Sequence, residues 1–546
     1  SGGTPGRRTP PGPALAFASL AVGHAPPSFV GRGGLGAAFG ALGLKALCVR
    51  ARPVEGAVAS SGPGGLVGRL RASPRLAARA QGGTLELFEA WAARGELAPE
   101  LGRALAQEAH ARAETRHGCR GCPTPCGWVF ARSDGAAQGA RFGASHALGV
   151  ALGLETLDDA LALLAVCDRL GIDAKEVGAV LALQCTAQER GLLAGQSARG
   201  RREELARRIE TLVADPRAPG RAGAAVLARE LELLDETPVS RGQAVRPEAS
   251  RAALLGQCVA SGGADPMRSF PFLLESAAHE RLRALLAPLC VPEEAFDART
   301  GTAKGRLVFW HENLISAVDL AGFCAFSAAG LLADGLATLD ELAAWILPAA
   351  LREPADPSWA ARTSGARLLA AGASLVLARR ALNALYGMEA DADRPRFARS
   401  SLAEPGMLDE YFALRGLDAA GRPGAEALAR LARPELLEFG RKTLATPERG
   451  STIEVERAPP ARARGRVTLR ASGALALGAR EFELELPASL SAVLALVAAE
   501  DDAARGGLLA AERLVPAVWR AGRRLAPGDP IASGDVLELV TVLGGG

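Results

Sequence analysis

From about Gly64 to Leu444, apolar residues recur at helical spacing, as in TLDDALALLAVCDRLGI and TLDELAAWILPAALRE. Thr156 and Thr338 stand before acidic first turns, where a side-chain oxygen caps a helix N-terminus. The pattern predicts a body made mostly of helices. Residues 447 to 466, PERGSTIEVERAPPARARGR, are polar, charged and proline-containing and read as a linker. After it the period falls to two. RVTLRA and EFELELP predict strands, SLSAVLALVAAE a helix, and LVPAVWRAG and DVLELVTVL further strands, before the chain ends in GGG.

Composition narrows the class. With 546 residues and 49% hydrophobic content the chain has ample material for several folded domains. Lys and Arg number 63 against 60 Asp and Glu, a formal charge of +3, which gives no basic stripe for nucleic acid or a membrane surface. The early run GRRTPPGPALAFASLAV is too short for an export signal reading, and no uninterrupted stretch of ~20 apolar residues follows. Nine cysteines, an odd count in a long chain, point to a reducing, cytoplasmic compartment and to metal ligation rather than disulfides.

Three of those cysteines lie in CRGCPTPCGWVF, residues 119 to 130, with the spacing C-x2-C-x3-C. Gly118, Gly121 and Gly127 allow the backbone to turn tightly enough to aim Cys119, Cys122 and Cys126 at one centre. A cubane iron–sulfur cluster or a zinc site needs a fourth ligand, and Cys324 in DLAGFCAF is the candidate. Asp319 and Gly322 precede it in the pattern D-x-x-G-x-C, and DRLGID, from Asp168 through Gly171 to Asp173, repeats that pattern with Asp last. Two copies in separate helical regions predict a pseudo-twofold site clasping two similar ligands. The remaining cysteines, 48, 167, 185, 258 and 290, sit among apolar residues and read as small buried hydrophobes. His311 and Glu312 read as a solvated or partner-facing pair.

These motifs, with GRGGLGAAFGALGLKAL at 31 to 47, GADPMRS at 263 to 269 and MLDEYFALRGLDAAGRP at 407 to 423, occur in an order that resembles the tungsten-dependent aldehyde:ferredoxin oxidoreductases. The resemblance implies a [4Fe-4S] cluster on Cys119, Cys122, Cys126 and Cys324, beside tungsten (or molybdenum) held by two pterin dithiolenes. It implies that Asp168 and Asp319 accept from the N–H edges of the pterins and that Gly171 and Gly322 let the backbone approach. Asp173 would also reach pterin, and Arg32, Gly33, Gly34 and Gly36 would lie near the pterin phosphates. Ferredoxin or an electron-transfer subunit would accept the electrons, with no nucleic-acid or membrane partner.

The implied fold is multidomain and mainly α. Residues 1–50 are the remnant of an N-terminal pterin-binding β domain, 51–250 and 251–446 are two helical domains, 447–466 is the linker and 467–546 a final small domain. The family's β domain of ~200 residues is otherwise missing, so either a separate chain supplies it or the chain is truncated. The last domain, with GDPIASGDVLELVTVLGGG, resembles the ubiquitin-like β-grasp (α+β) sulfur carriers of molybdopterin and thiamine synthesis, whose terminal glycines, here Gly545 and Gly546, become a thiocarboxylate. Where the family commonly has an acidic GPEYET loop, this chain has GASHAL, residues 143 to 148, leaving His146 as the replacement proton-transfer residue. The expected activity is oxidation of an aldehyde to a carboxylic acid. The alternatives are a non-catalytic assembly or sulfur-carrier protein for the pterin cofactor, and a related reductase acting on another substrate.

Overall fold

The computed structural model describes residues 15–22, 28–41, 44, 46–47, 64–119, 122–246, 248, 250–269, 275, 280–346, 363–385 and 405–429, with strand backbone at 463–472, 479–486, 488–489, 517–520, 523–524, 530–531 and 536–540. It divides into two compact units, one of residues 1–37 and 56–447, the other of 38–55 and 448–546. The first unit is mainly helical, and none of its described helices is long and apolar enough to cross a membrane.

The predicted caps form. Thr156 accepts from Asp159 N–H at 3.2 Å at the start of the helix Leu157–Leu170. Thr338 Oγ1 accepts from Glu341 N–H at 3.1 Å while Glu341 Oε2 accepts from Thr338 N–H at 2.9 Å, a reciprocal capping box. The two D-x-x-G-x-(D/C) segments fold alike, and the reason is local. Each ends one helix with a left-handed glycine and puts its last residue at the N-cap position of the next, where Asp173 caps with its side chain and Cys324 does not. Gly171 (φ 66°) closes Leu157–Leu170, its N–H bonded to Asp168 O at 3.2 Å, and Asp173 caps Ala174–Glu189. Gly322 (φ 71°) follows Lys304–Leu320, its N–H bonded to Asp319 O at 3.0 Å, and Cys324 stands at the N-cap of Ala325–Ala333. Nothing lies within 4 Å of where either glycine's Cβ would be, so the positive φ alone calls for glycine there.

The helical reading of this region needs one correction. Ala113–His117, Gly127–Ala131 and Ala137–Ala140 form a three-stranded antiparallel sheet. Its strands of four and five residues are too short for a clear period of two to show. His117 pairs with Gly127, so the cysteine segment is the hairpin loop between the first two strands.

The core around this sheet is aromatic. Phe88 and Trp91 meet Phe142 edge-on at 5.0 and 4.9 Å between ring centroids, and all three are at most 3% exposed. A second core lies along Lys304–Leu320, with Leu307, Leu314 and Val318 fully buried. His311 and Glu312, expected at the surface, are 0% and 3% exposed. Glu312 accepts from Tyr411 and from Arg415, the latter at 2.7 Å, so a buried network supplies the partners that water was expected to provide. Among the remaining cysteines, Cys167, Cys185 and Cys258 are buried as expected, Cys290 is exposed at a left-handed turn, and Cys48 lies outside the described residues.

The second unit contains a five-stranded sheet in the order 523–524, 517–520, 536–540, 463–472, 479–486. Its first and last long strands pair in parallel, Val536 opposite Thr468 through Val540 opposite Ser472, and the other pairings are antiparallel. The helix expected near residues 489 to 500 and the terminal Gly545 and Gly546 lie outside the described residues.

Candidate functional site

The cysteine loop is closed by its own chemistry. Cys122 N–H donates to Cys119 O at 2.9 Å, and a Cβ on Gly118 would stand 2.8 Å from Pro125 Cβ, so glycine lets the two sides of the loop meet. Cys324 arrives from the other half of the unit. Its helix packs Gly330 against Leu76 of the helix Pro74–Gly82, and Asp334 just beyond that helix ties the two together. Ser73 Oγ donates to Asp334 Oδ2 at 2.5 Å and Arg75 Nε to Oδ1 at 2.9 Å.

The four thiols fall within electrostatic reach of one another. Burial raises the Cys119 pKa, and negative charge at Cys324, Cys122 and Cys126 raises it further against the pull of Arg141. Among the described residues no three His, Cys, Asp or Glu side chains converge as donors to one ion.

Beside them opens a cavity of about 380 Å³. Thr84 joins loop to cavity, its N–H bonded to Cys126 O at 3.1 Å and its Oγ1 accepting from Phe142 N–H at 3.1 Å. Arg79 and Arg141 line the cavity at this end. Burial lowers the pKa of Arg79, opposed by negative charge at Glu86, Cys126 and Cys324, and its guanidinium lies 4.3 Å over the Phe326 ring. Asp168, Asp173, Lys175, Arg246 and Glu248 also reach the wall. None of Arg79, Arg141, Lys175 and Glu248 was picked out from the sequence. A charged residue in an amphipathic helix carries no local mark of facing a cavity rather than solvent.

Asp168 lies on the cavity wall. Its carboxylate accepts from Gln138 Nε2 at 2.7 Å, and burial raises its pKa to about 6, with the Gln138 bond pulling the other way. Asp319 does not lie on this cavity wall. It accepts from Arg268 Nη1 at 3.1 Å, and burial raises its pKa against Arg268 and Arg379. Arg32 is engaged within the protein: Nη1 donates to Ala244 O at 2.8 Å and Ala264 O at 2.5 Å, and Nε faces Asp173 Oδ2 at 3.8 Å. Gly33 and Gly34 take positive φ, 90° and 66°, and Gly36 N–H donates to Ala18 O at 3.0 Å. A Cβ on Gly36 would stand 2.4 Å from Ala18 O, so its role in the structure is close packing of the loop.

The catalytic expectation for His146 is corrected. Its ring packs 4.8 Å from Trp91 and 5.6 Å from Phe142, it is absent from the cavity lining, and burial then Arg246 lower its pKa to about 4. It is a neutral packing residue at physiological pH.

A polar-edged ligand matches buried atoms without a hydrogen bond along the wall: Ser19 Oγ, and Asp173 Oδ2 and Arg32 Nε, which face each other at 3.8 Å. Carboxylates at Asp168 and Asp173 supply acceptors for N–H groups, the edge chemistry of a pterin.

Residues 69–432 match the family described as aldehyde ferredoxin oxidoreductase, domains 2 and 3. One solved structure with a similar course is the active-site complex BamBC of benzoyl coenzyme A reductase with 1,5-dienoyl-CoA, at 16% identity and a TM-score of 0.47 over 64% of this chain. The match spans 56% of that chain. No curated protein matches this chain.

Proposed function

Because this chain belongs to the aldehyde ferredoxin oxidoreductase family over its domains 2 and 3, we propose that it is a tungsten (or molybdenum) bis-pterin oxidoreductase that oxidises an aldehyde to a carboxylic acid. The observation that carries the reading is the junction of the cavity with four thiols from distant parts of the chain, with Arg79 and Arg141 standing between them. Cys119, Cys122, Cys126 and Cys324 would hold a [4Fe-4S] cluster, a reading supported by the charge of the other three thiols reaching Cys119. Asp168 and Asp173 would hold the pterin edge in the cavity, with the backbone N–H groups of Gly33 and Gly34 near its phosphates. Gly171 and Gly322 permit the turns that put the aspartates there, and Asp319 would serve a second pterin on the side of Arg268.

When bound, the metal and cluster supply a two-electron oxidation followed by single-electron exit. The chain's own residues do the rest. Asp168, with its pKa of about 6, is mostly ionised at neutral pH and acts as an acceptor. Apolar Phe29, Phe142, Met267 and Phe326 exclude water from the cavity. Cys119 and Cys324 are exposed, which supports transfer to an external carrier such as ferredoxin or an electron-transfer subunit. Val22 and Val30 are exposed on the hairpin whose Phe29 lines the cavity, which supports a cover supplied by a separate β-rich chain.

Anaerobically purified protein is expected to hold about four irons per chain with tungsten or molybdenum and pterin. Replacing Cys324→Ser should lower the iron content while leaving the helical signal intact. Iron without tungsten, molybdenum or pterin refutes the reading.

A second reading, cofactor assembly or sulfur carriage, is favoured by the C-terminal sheet. Its order, with the first and last long strands parallel at the centre, supports the reading of a ubiquitin-like β-grasp domain. Intact mass showing sulfur in place of oxygen on Gly546, without aldehyde turnover, would favour it.

A further inference from the structure

Beside the Phe142–Leu148 helix three cations have ion-pair partners, while Lys175, like Arg141 at the helix N-cap, has none among the described residues. Arg32 faces Asp173 at 3.8 Å, Glu248 holds Arg246, and Asp265 takes Arg268 at 3.3 Å. Lys175 Nζ makes no hydrogen bond or ion pair with any described residue; only its backbone N–H is bonded, to Asp173 Oδ1 at 3.0 Å. The lysine stem lies along Gly143, where a Cβ would stand 3.0 Å from Lys175 Cε and 3.7 Å from Arg246 Nη1. The missing side chain thus leaves room for an ammonium and a guanidinium to flank one point of the helix. Both residues line the cavity, together with apolar Phe29, Phe142 and Met267. Burial lowers the Lys175 pKa, and Arg32 and Arg246 add to that, while Asp265 and Asp173 hold it up.

An unpaired ammonium deep in a protein is costly unless a ligand completes its contacts. We propose that Lys175, with Arg246 Nη1 beside it, binds one carboxylate of the substrate, whose apolar body rests on Phe142 and Met267. This rests on the proposed function and deepens it. The substrate class is an aldehyde on an apolar or aromatic skeleton that carries a carboxylate remote from the reacting carbon. The unpaired ammonium of Lys175 matches a single negative charge. The other source of an oxyanion at this place is a phosphate of the cofactor.

The test uses the full chain as purified anaerobically, titrated calorimetrically with benzoate and, separately, with pyrophosphate. Lys175→Met is compared with wild type and Lys175→Arg. Benzoate affinity should fall about tenfold in the methionine variant and return in the arginine variant, the loss expected of one charge-assisted contact. Melting temperature checks folding, and Met should not lower it because an uncompensated buried charge is removed. Unchanged benzoate affinity in Lys175→Met, or no saturable benzoate binding by wild type, overturns the proposal. Loss of pyrophosphate binding and of pterin content with benzoate unaffected also overturns it and assigns the oxyanion to the cofactor. Absence of tungsten and pterin from wild type would refute the proposed function instead, while leaving the benzoate result to be read by itself.

Discussion

Asp168 offers a perturbation whose sign and window follow from its surroundings. Its carboxyl is raised from 3.8 to about 6, chiefly by burial, so the folded protein holds a proton that the unfolded chain has already lost between those values. Stability from this group is therefore present below pH 3.8 and declines as pH rises through 6, above which the full cost of a poorly solvated anion remains. A shift of about two units corresponds to about 3 kcal/mol, and the group's partial access to the cavity reduces this to roughly 1–2 kcal/mol. Asp168→Asn keeps an oxygen for Gln138 Nε2 and removes the charge. In cofactor-free protein the variant should melt with wild type near pH 4 and above it by roughly 2 °C at pH 8. His146 and His311 titrate oppositely in part of this window, their pKa values lowered to about 4 and about 3. The test is accordingly the difference between variant and wild type at each pH, measured by scanning calorimetry. A difference that is constant with pH, or negative at pH 8, refutes the buried-anion argument.

His146→Phe should leave the pH dependence of turnover unchanged, because the ring is neutral above about pH 5 and is not on the cavity wall; a lost basic or acidic limb in the rate profile would contradict this. The same variant should resist acid better, since the neutral histidine's contribution is present above pH 6.5 and lost as pH falls toward 4. Asp334→Ala should cost about 2–3 kcal/mol and loosen Cys324 from the other cysteines, read as a lower melting temperature and slower iron retention under chelator. Gly372→Ala should lower stability by at least about 2 kcal/mol or prevent folding, because its Cβ would stand 1.9 Å from Asn313 O; Gly406→Ala, with nothing within 4 Å, is the control.

The D-x-x-G-x-(D/C) repeat was readable because its chemistry is local. A glycine with positive φ must end a helix, and a residue able to cap must follow within two positions. That grammar places Asp168 and Asp319 on last turns, but it does not say what they face. Asp168 reaches the cavity because Gln138, thirty residues earlier on a short strand, meets it there; Asp319 meets Arg268 instead. The cysteine pairing was suggested by count and resemblance, while the strands that carry it escaped the periodicity argument by being short. Beyond Arg32, the cationic wall was illegible. Lys175 lies two residues past a recognised motif, yet its importance comes from Gly143 leaving space and from Arg32, Arg246 and Arg268 already having partners. Such a residue is defined by subtraction over three-dimensional neighbours. The same subtraction separates this site from its expected chemistry: no acid stands on the Phe142–Leu148 helix, and the free charge beside it is positive. Substrates that rely on a carboxylate from the protein should therefore be poor ones, and substrates that bring their own should be favoured.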